Sequence, residues 1–238
     1  MIVVTWNVLH RIHAVNWDEP TIKSWADERD RIASIADFIG DLEADVLCLQ
    51  EVSGDQLAML RDVEQGEVFA TPYPRIPHYY RRFEAATLRD PTEFLVTIVR
   101  SGGARIVDAA PFPSDGGKGF QTVELATGER VVAAHLSYGD KHPEQCTRIL
   151  AATSGDGPVI VCGDFNEDRD VCASRLGDLV PAIPTPPALP TRPRQASAPT
   201  TKSETIDHVF VRGISAIAAE VLDCYGRSDH NPVAARIM

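Results

Sequence analysis

The chain has 238 residues, with 23 Lys plus Arg against 34 Asp plus Glu and a formal net charge of −11. At 44% hydrophobic and 24% charged residues it has the composition of a globular protein, long enough to bury a core without disulfides. A protein that gripped duplex DNA by blanket phosphate neutralisation would carry a basic face, so the charge disfavours long duplex DNA as a partner.

In chain order, short β-branched runs recur at Ile2–Thr5, Asp45–Leu49, Phe94–Val99, Arg105–Val107, Thr122–Leu125, Val131–His135, Val159–Cys162, Ile206–Val211 and Val233–Ile237. Helical spacing joins Ile32, Ile35, Ile39 and Leu42, and Leu57 with Leu60 behind a Ser53 cap. A third helix opens at Pro143 and aligns Cys146, Ile149 and Leu150 on one face. Leu125 and Val131 flank a Gly128 turn, a hairpin signal, so the sheets are expected to be mixed or antiparallel and covered by helices. The segment at about 181–201 is rich in proline and reads as a loop or lid within one domain spanning 1–238.

No run approaches the roughly 20 apolar residues of a membrane helix. The start, MIVVTWNVLH, lacks the basic and apolar regions of a signal peptide. The five cysteines include no CxxC pair, and Cys48 and Cys162 sit in apolar runs. Reduced, buried thiols in a cytoplasmic, monomeric protein are the expectation.

Six clusters place a polar or acidic residue at a strand end: Trp6-Asn7, Gln50-Glu51, Ala134-His135, Asp164-Phe165-Asn166, Ile206-Asp207 and Ser228-Asp229-His230. Strand ends present side chains to a crevice. Singly, each has a plainer account. Glu51 is then a solvated strand end, Asp164-x-Asn166 an Asx-turn, His135 a satisfied strand histidine and Asp229-His230 a turn. In an extended chain Asp164 and Asn166 would face one site, while the adjacent Asp229 and His230 would face opposite sides. Asp207, embedded in an apolar strand, needs a partner, and a histidine is an obvious one. Together the oxygen donors suit Mg²⁺ or Mn²⁺, and the histidines suit proton transfer or hydrogen bonding to a phosphoryl oxygen. There is no Walker loop, GxSxG, HExxH or dinucleotide-binding glycine pattern.

In this order, TWNV, LQEV, AAHL, GDFN, IDHVFV and SDHNPV resemble the endonuclease/exonuclease/phosphatase superfamily. That superfamily includes DNase I-like nucleases, abasic-site endonucleases, inositol polyphosphate 5-phosphatases, sphingomyelinases and deadenylases. The match runs from Asn7 to Pro232. The resemblance implies a four-layer α/β sandwich, two mixed and mostly antiparallel sheets packed face to face with helices outside. It implies Glu51 as the principal Mg²⁺ (or Mn²⁺) ligand, with Asn7 and Asp229 assisting. Asp164 would polarise or deprotonate the attacking water, and Asn166 would contact phosphate. His230, oriented by Asp207, would serve a non-bridging oxygen, and His135 the phosphate or leaving group. Arg148 resembles the arginine that follows the HL motif. Two departures stand out: Leu9 occupies the position where abasic-site endonucleases carry an acid, and Phe94–Arg100 fits its family counterpart loosely.

Recognition would fall to loops: His10, Arg11, His13 and Trp17 after the first strand, the aromatic–basic cluster at Tyr80 and Arg81, and Arg192 in the proline-rich segment. Solvated loop cations are the plainer account. The preferred expectation is a divalent-metal phosphoester hydrolase acting on a phosphorylated, nucleotide-like small molecule or a short single-stranded nucleic-acid end. A DNA or RNA nuclease and a catalytically inactive phosphate-binding scaffold are the alternatives.

Overall fold

The structure, a computed structural model, describes residues 1–80, 88–182, 187–193 and 204–238. Among them, twelve strands form two six-stranded sheets. The first sheet runs β11-β12-β1-β2-β4-β3, from Ala216–Val221, Val233–Ile237, Ile2–Asn7, Val46–Ser53, Glu93–Val99 and Glu67–Pro72. The second runs β5-β6-β7-β8-β10-β9, from Ala104–Phe112, Asp115–Leu125, Arg130–His135, Val159–Asp164, Asp207–Arg212 and Val180–Pro181. Only β1 with β2 and β7 with β8 pair in parallel; the other ladders are antiparallel.

Strand periodicity divides these residues among three apolar layers. Val3, Val46, Cys48, Val131, Ala133, Ile160, Cys162 and Val209 meet between the sheets. The alternate residues of the first sheet, including Val4, Trp6, Leu47 and Leu49, pack on Ile35 and Ile39 of α3 (Glu28–Asp41) and Leu57 and Leu60 of α4 (Gly54–Val63). Those of the second sheet, including Val132, Val161 and Phe210, pack on Cys146 and Ile149 of α5 (His142–Ala152) and Cys172 of α6 (Arg169–Arg175). The result is the expected four-layer α/β sandwich.

Most expected elements recur with extended bounds, and Ser53 caps α4 in a capping box with Gln56. The helix placed at Pro143 begins one residue earlier, at His142. Six helices and strands carried too little signal: α1 (Arg11–Asn16), α2 (Thr21–Ser24), α6, β3, β9 and β11. The last, Ala216–Val221, is half alanine, a residue depleted in strands, and lies at a sheet edge where packing supplies little pattern. Of the proline-rich segment, 181–182 and 187–193 lie within the described residues: Pro181 ends β9, and 187–193 is stitched into the fold. The buried Thr191 hydroxyl accepts from Ile206 N at 2.9 Å and Asp207 N at 3.1 Å, and its carbonyl accepts from Asn231 N at 2.6 Å. No described helix is long and apolar enough to cross a membrane.

Candidate active site

Each inward-facing column of the central strands ends, at the same end of the sandwich, in a polar residue. Val3-Thr5 leads to Asn7, Val131-Ala133 to His135 and Ile160-Cys162 to Asp164, while Asp207 precedes Val209-Val211 on an antiparallel neighbour. The register pairs Asp207 with Asp164, and Asp164 with His135. Parallel and antiparallel pairing thus carry these side chains to one spot.

Glu51 arrives differently. The β2–β4 ladder loses register between Leu49 and Val52, and Glu51 sits there with a left-handed backbone, φ 58°. This bulge turns the carboxylate inward from a position that strict alternation assigns to the outer face. Leu9 (φ 58°) and Asn166 (φ 52°) adopt the same uncommon conformation, so three of the five non-glycine residues with positive φ among the described residues surround this site. Gly163 is required for contact: a Cβ there would lie 1.8 Å from the Ala134 carbonyl oxygen.

The groups interlock. Asn7 Nδ2 donates to Asp164 Oδ2 at 3.0 Å. His135 Nε2 lies 3.4 Å from Asp164 Oδ2 and 3.8 Å from Glu51 Oε1. Asn166 N donates to Asp164 Oδ1 at 2.9 Å, so the Asx-turn and the site are one structure. His230 Nδ1 lies 2.8 Å from Asp207 Oδ2, and its carbonyl accepts from Trp6 Nε1 at 2.8 Å. Asp229 does not face away from His230, as extended geometry required. The turn at Ser228–Asn231 brings Asp229 Oδ2 within 3.9 Å of His230 Nε2, and Arg192 Nη2 pairs with it at 3.3 Å.

Burial opposes charge on Glu51, yet nearby His13, Lys118 and His135 and a hydrogen bond from Asn7 hold its carboxyl well below the usual range. Burial likewise opposes charge on Asp164, and His135, His230 and Lys118 lower it strongly. Burial disfavours the charged His230 imidazole, but Asp207, Asp229 and Asp164 outweigh it and raise His230 to about 10. A protonated His230 is a hydrogen-bond donor, so the Asp164–Asp207–His230 cluster, whose ligand atoms lie within 4.8 Å of one another, reads as a dyad beside a carboxylate. Glu51 and Asp164 offer the hard oxygen donors that Mg²⁺ and Mn²⁺ accept, whereas Asn7 turns its amide nitrogen to them and its Oδ1 to Leu9 N at 3.0 Å, so it would ligate with the amide turned over. Asp207 Oδ1, buried without a partner, adds acceptor capacity.

Glu51, Asp164, Asn166, Asp229 and His230 line a cleft of about 720 Å³, with Asn7, His135 and Asp207 buried behind them; Tyr80 and Arg192 line it too. Other expected recognition residues lie elsewhere. Arg11 is buried, donating to Trp25 O at 3.0 Å and pairing with Glu28 at 3.5 Å. His10 is enclosed as the cap of α1; burial lowers it to about 4, and only its backbone N–H reaches Glu51, at 3.2 Å. Arg148 sits on the exposed face of α5 with Glu144 at 2.6 Å, away from the cleft lining. Arg81 lies outside the described residues.

Lys118 was missed. It projects from β6 onto His135 Nε2 beside Glu51 and Asp164. A lysine set among glycines at Gly116-Gly117-Lys118-Gly119, just ahead of an apolar strand, was the available signal. Glu93 was missed too. It is buried in β4 and lies 2.9 Å from His13 Nε2.

Residues 4–230 match the Endonuclease/Exonuclease/phosphatase family model. No curated protein matches the chain by sequence. Among solved structures, a conserved protein of unknown function from Enterococcus faecalis is similar over 100% of this chain and 99% of its own, with a TM-score of 0.73 and 17% identity. A mannosyl-6-phosphatase from Bacteroides thetaiotaomicron gives 0.72 and 17% over the same shares. TDP2 from Caenorhabditis elegans gives 0.66 and 16% identity over 100% of this chain and 74% of its own. At these identities the likeness is one of fold, and the match over nearly the whole chain carries the assignment: the chain belongs to the endonuclease/exonuclease/phosphatase family.

Proposed function

We propose that the protein is a divalent-metal-dependent phosphoester hydrolase acting on a nucleotide-like small molecule or a short single-stranded nucleic-acid end. The observation that carries this reading is the interlocked cluster in which Glu51, Asp164 and His230 line one cleft and Asn7, His135 and Asp207 back them. The family membership and the fold shared with a phosphatase support the reaction class.

Glu51 and Asn7, with Asp164 adjacent, would hold Mg²⁺ or Mn²⁺, which when bound neutralises phosphoryl charge. Asp229 is the weaker ligand candidate, since Arg192 already occupies its carboxylate. Asp164, held strongly ionised, is a poor base; its role is to orient the attacking water, with Asn166 alongside. His230, kept protonated by its carboxylates, donates to a non-bridging oxygen as charge grows there. Lys118, resting on the buried His135, faces the same oxygens from the second sheet. We read the whole chain as one catalytic domain, and its five buried free cysteines fit a reducing compartment.

The test is a product-release screen across nucleotides, sugar phosphates, cyclic phosphates and RNA or DNA oligonucleotides with Mg²⁺ and Mn²⁺. Turnover concentrated in nucleotides or single-stranded ends supports the reading. Degradation of plasmid DNA at least as fast as small substrates favours the nuclease alternative. Ligand binding without turnover in any arm favours the inactive scaffold.

A further inference from the structure

A cleft of about 720 Å³ is far larger than one phosphoryl group needs, and its walls beyond the floor have their own construction. On the His135 side, one carboxylate gathers two cations from separate elements. Asp115, at the start of β6, accepts from Gly117 N at 3.1 Å and from Ser137 Oγ at 3.0 Å. Arg75 Nη1 lies 2.9 Å and Lys141 Nζ 3.3 Å from the same carboxylate. Two cations around one anion leave one positive charge in surplus. Both cationic side chains are about half exposed and line the cleft, at 53% and 48%, whereas Asp115 beneath them is 10% exposed. The chain makes room for this arrangement. A Cβ at Gly117 would come within 2.1 Å of Arg75 Nη2, and Arg75 N donates to Gly116 O at 3.1 Å.

The rim carries large side chains that folding leaves uncovered: Trp17 at 67%, Tyr80 at 67%, Tyr138 at 76% and Ile76 at 53% exposure. Tyr80 is held in place nonetheless. Asn16 Nδ2 donates to His78 O at 3.0 Å, and Asn16 Oδ1 accepts from Tyr80 N at 3.0 Å. The His78 and Tyr80 rings meet edge to face with centroids 5.8 Å apart. One amide thus fastens the backbone on either side of Tyr79 and fixes the two rings at the rim. Exposed aromatic surface rimming a cleft marks ligand contact, and a base stacks on such a face.

We propose that Arg75 and Lys141 receive a second phosphate of the substrate while the aromatic rim receives its base, so that the preferred substrate is a nucleotide bearing a phosphate in addition to the one hydrolysed. This rests on the phosphoester-hydrolase reading of the same cleft and names the substrate class within it. A sugar monophosphate would use the rim through its ring but would leave the cation surplus unmatched.

Two matched pairs test this: adenosine 5′-phosphate against adenosine 3′,5′-bisphosphate, and ApA against pApA, with mannose 6-phosphate as the base-free comparison. All are assayed with Mn²⁺ for kcat/KM. The expected result is a roughly tenfold or greater preference for the doubly phosphorylated member of at least one pair, the scale of one charge-assisted contact. In Arg75→Ala, and independently in Lys141→Gln, that ratio falls towards one, with thermal melts establishing that each variant is folded. Turnover of both members at equal rates, a preference that survives both substitutions, or fastest turnover of mannose 6-phosphate overturns the subsite and leaves the hydrolase reading standing. Absence of metal-dependent turnover of every phosphoester overturns that reading, and the subsite with it.

Discussion

His230 Nδ1 stands 2.8 Å from Asp207 Oδ2, and both side chains are buried, one supplied by β10 and the other by the turn before β12. Thr191 fastens the backbone at both ends of this pair, through Asp207 N and Asn231 N. The carboxylate therefore fixes both the orientation and the charge of the imidazole. Replacing Asp207 by Asn keeps the shape and removes the charge. We predict that Asp207→Asn lowers kcat by about 100-fold or more, the usual scale for a positioned proton donor. NMR titration of His230 in the variant should give a pKa well below the wild-type value of about 10. An unchanged His230 pKa would remove Asp207 from this role.

The same pair gives stability a pH dependence. His230 is raised to about 10 from an ordinary 6.5, so folding binds a proton that the unfolded chain releases. Its contribution is complete below about pH 6.5 and is lost as pH climbs towards 10. Glu51 and Asp164 are lowered, so their contributions hold above the ordinary carboxylate range and fade in acid. Metal-free protein should melt highest between these limbs. In Asp207→Asn the alkaline decline should flatten; an alkaline limb identical to wild type would contradict the account.

Lys118 should prove catalytic. It contacts His135 and neighbours Glu51 and Asp164, where a cation helps carry phosphoryl charge. Lys118→Met is expected to reduce kcat by about 10- to 100-fold, with Lys118→Arg recovering part of the loss. Steady-state kinetics check this, and wild-type kcat in Lys118→Met would exclude the role.

Arg31 holds the floor of the site from behind. Fully buried in α3, it donates to Val8 O at 2.9 Å and Leu9 O at 2.7 Å, just past Asn7, and to Arg227 O at 2.9 Å near the Asp229-His230 turn. It also pairs with buried Glu28. Arg31→Ala leaves that carboxylate with Arg11 alone and strands three carbonyls, so we predict a loss of about 3 kcal/mol and a Tm lower by on the order of 10 °C. Calorimetry measures it directly, and an unshifted melt would show that the anchor is dispensable.

Much of this site was legible because strand periodicity is a local property. Asn7, His135, Asp164 and Asp207 each stand at the end of an apolar column, and a period of two carries all four to one end of the sandwich. The inward turn of Glu51 was not legible, because it depends on a bulge that no local residue pattern announces. Nor were Lys118 and Glu93, which reach the site through the pairing of distant strands. Arg11 and His10 misled for the opposite reason: proximity to the first strand end suggested the cleft, whereas the helix they open turns them into the interior. Many short strands with few helices pointed to mixed sheets covered by helices, and the four-layer sandwich followed from the family resemblance, while edge elements such as Ala216–Val221 lacked the burial that writes a pattern.

Phosphoester hydrolysis in this cleft would require a divalent ion held by Glu51 and its neighbours. The most direct test is metal-stripped protein titrated with Mg²⁺ and Mn²⁺ against a chromogenic phosphodiester and phosphomonoester, beside Glu51→Ala. We expect activity absent in EDTA, restored in a saturable manner by either ion, and lost by about 100-fold or more in the variant at every metal concentration. Equal turnover in EDTA, or full activity in Glu51→Ala, would contradict it.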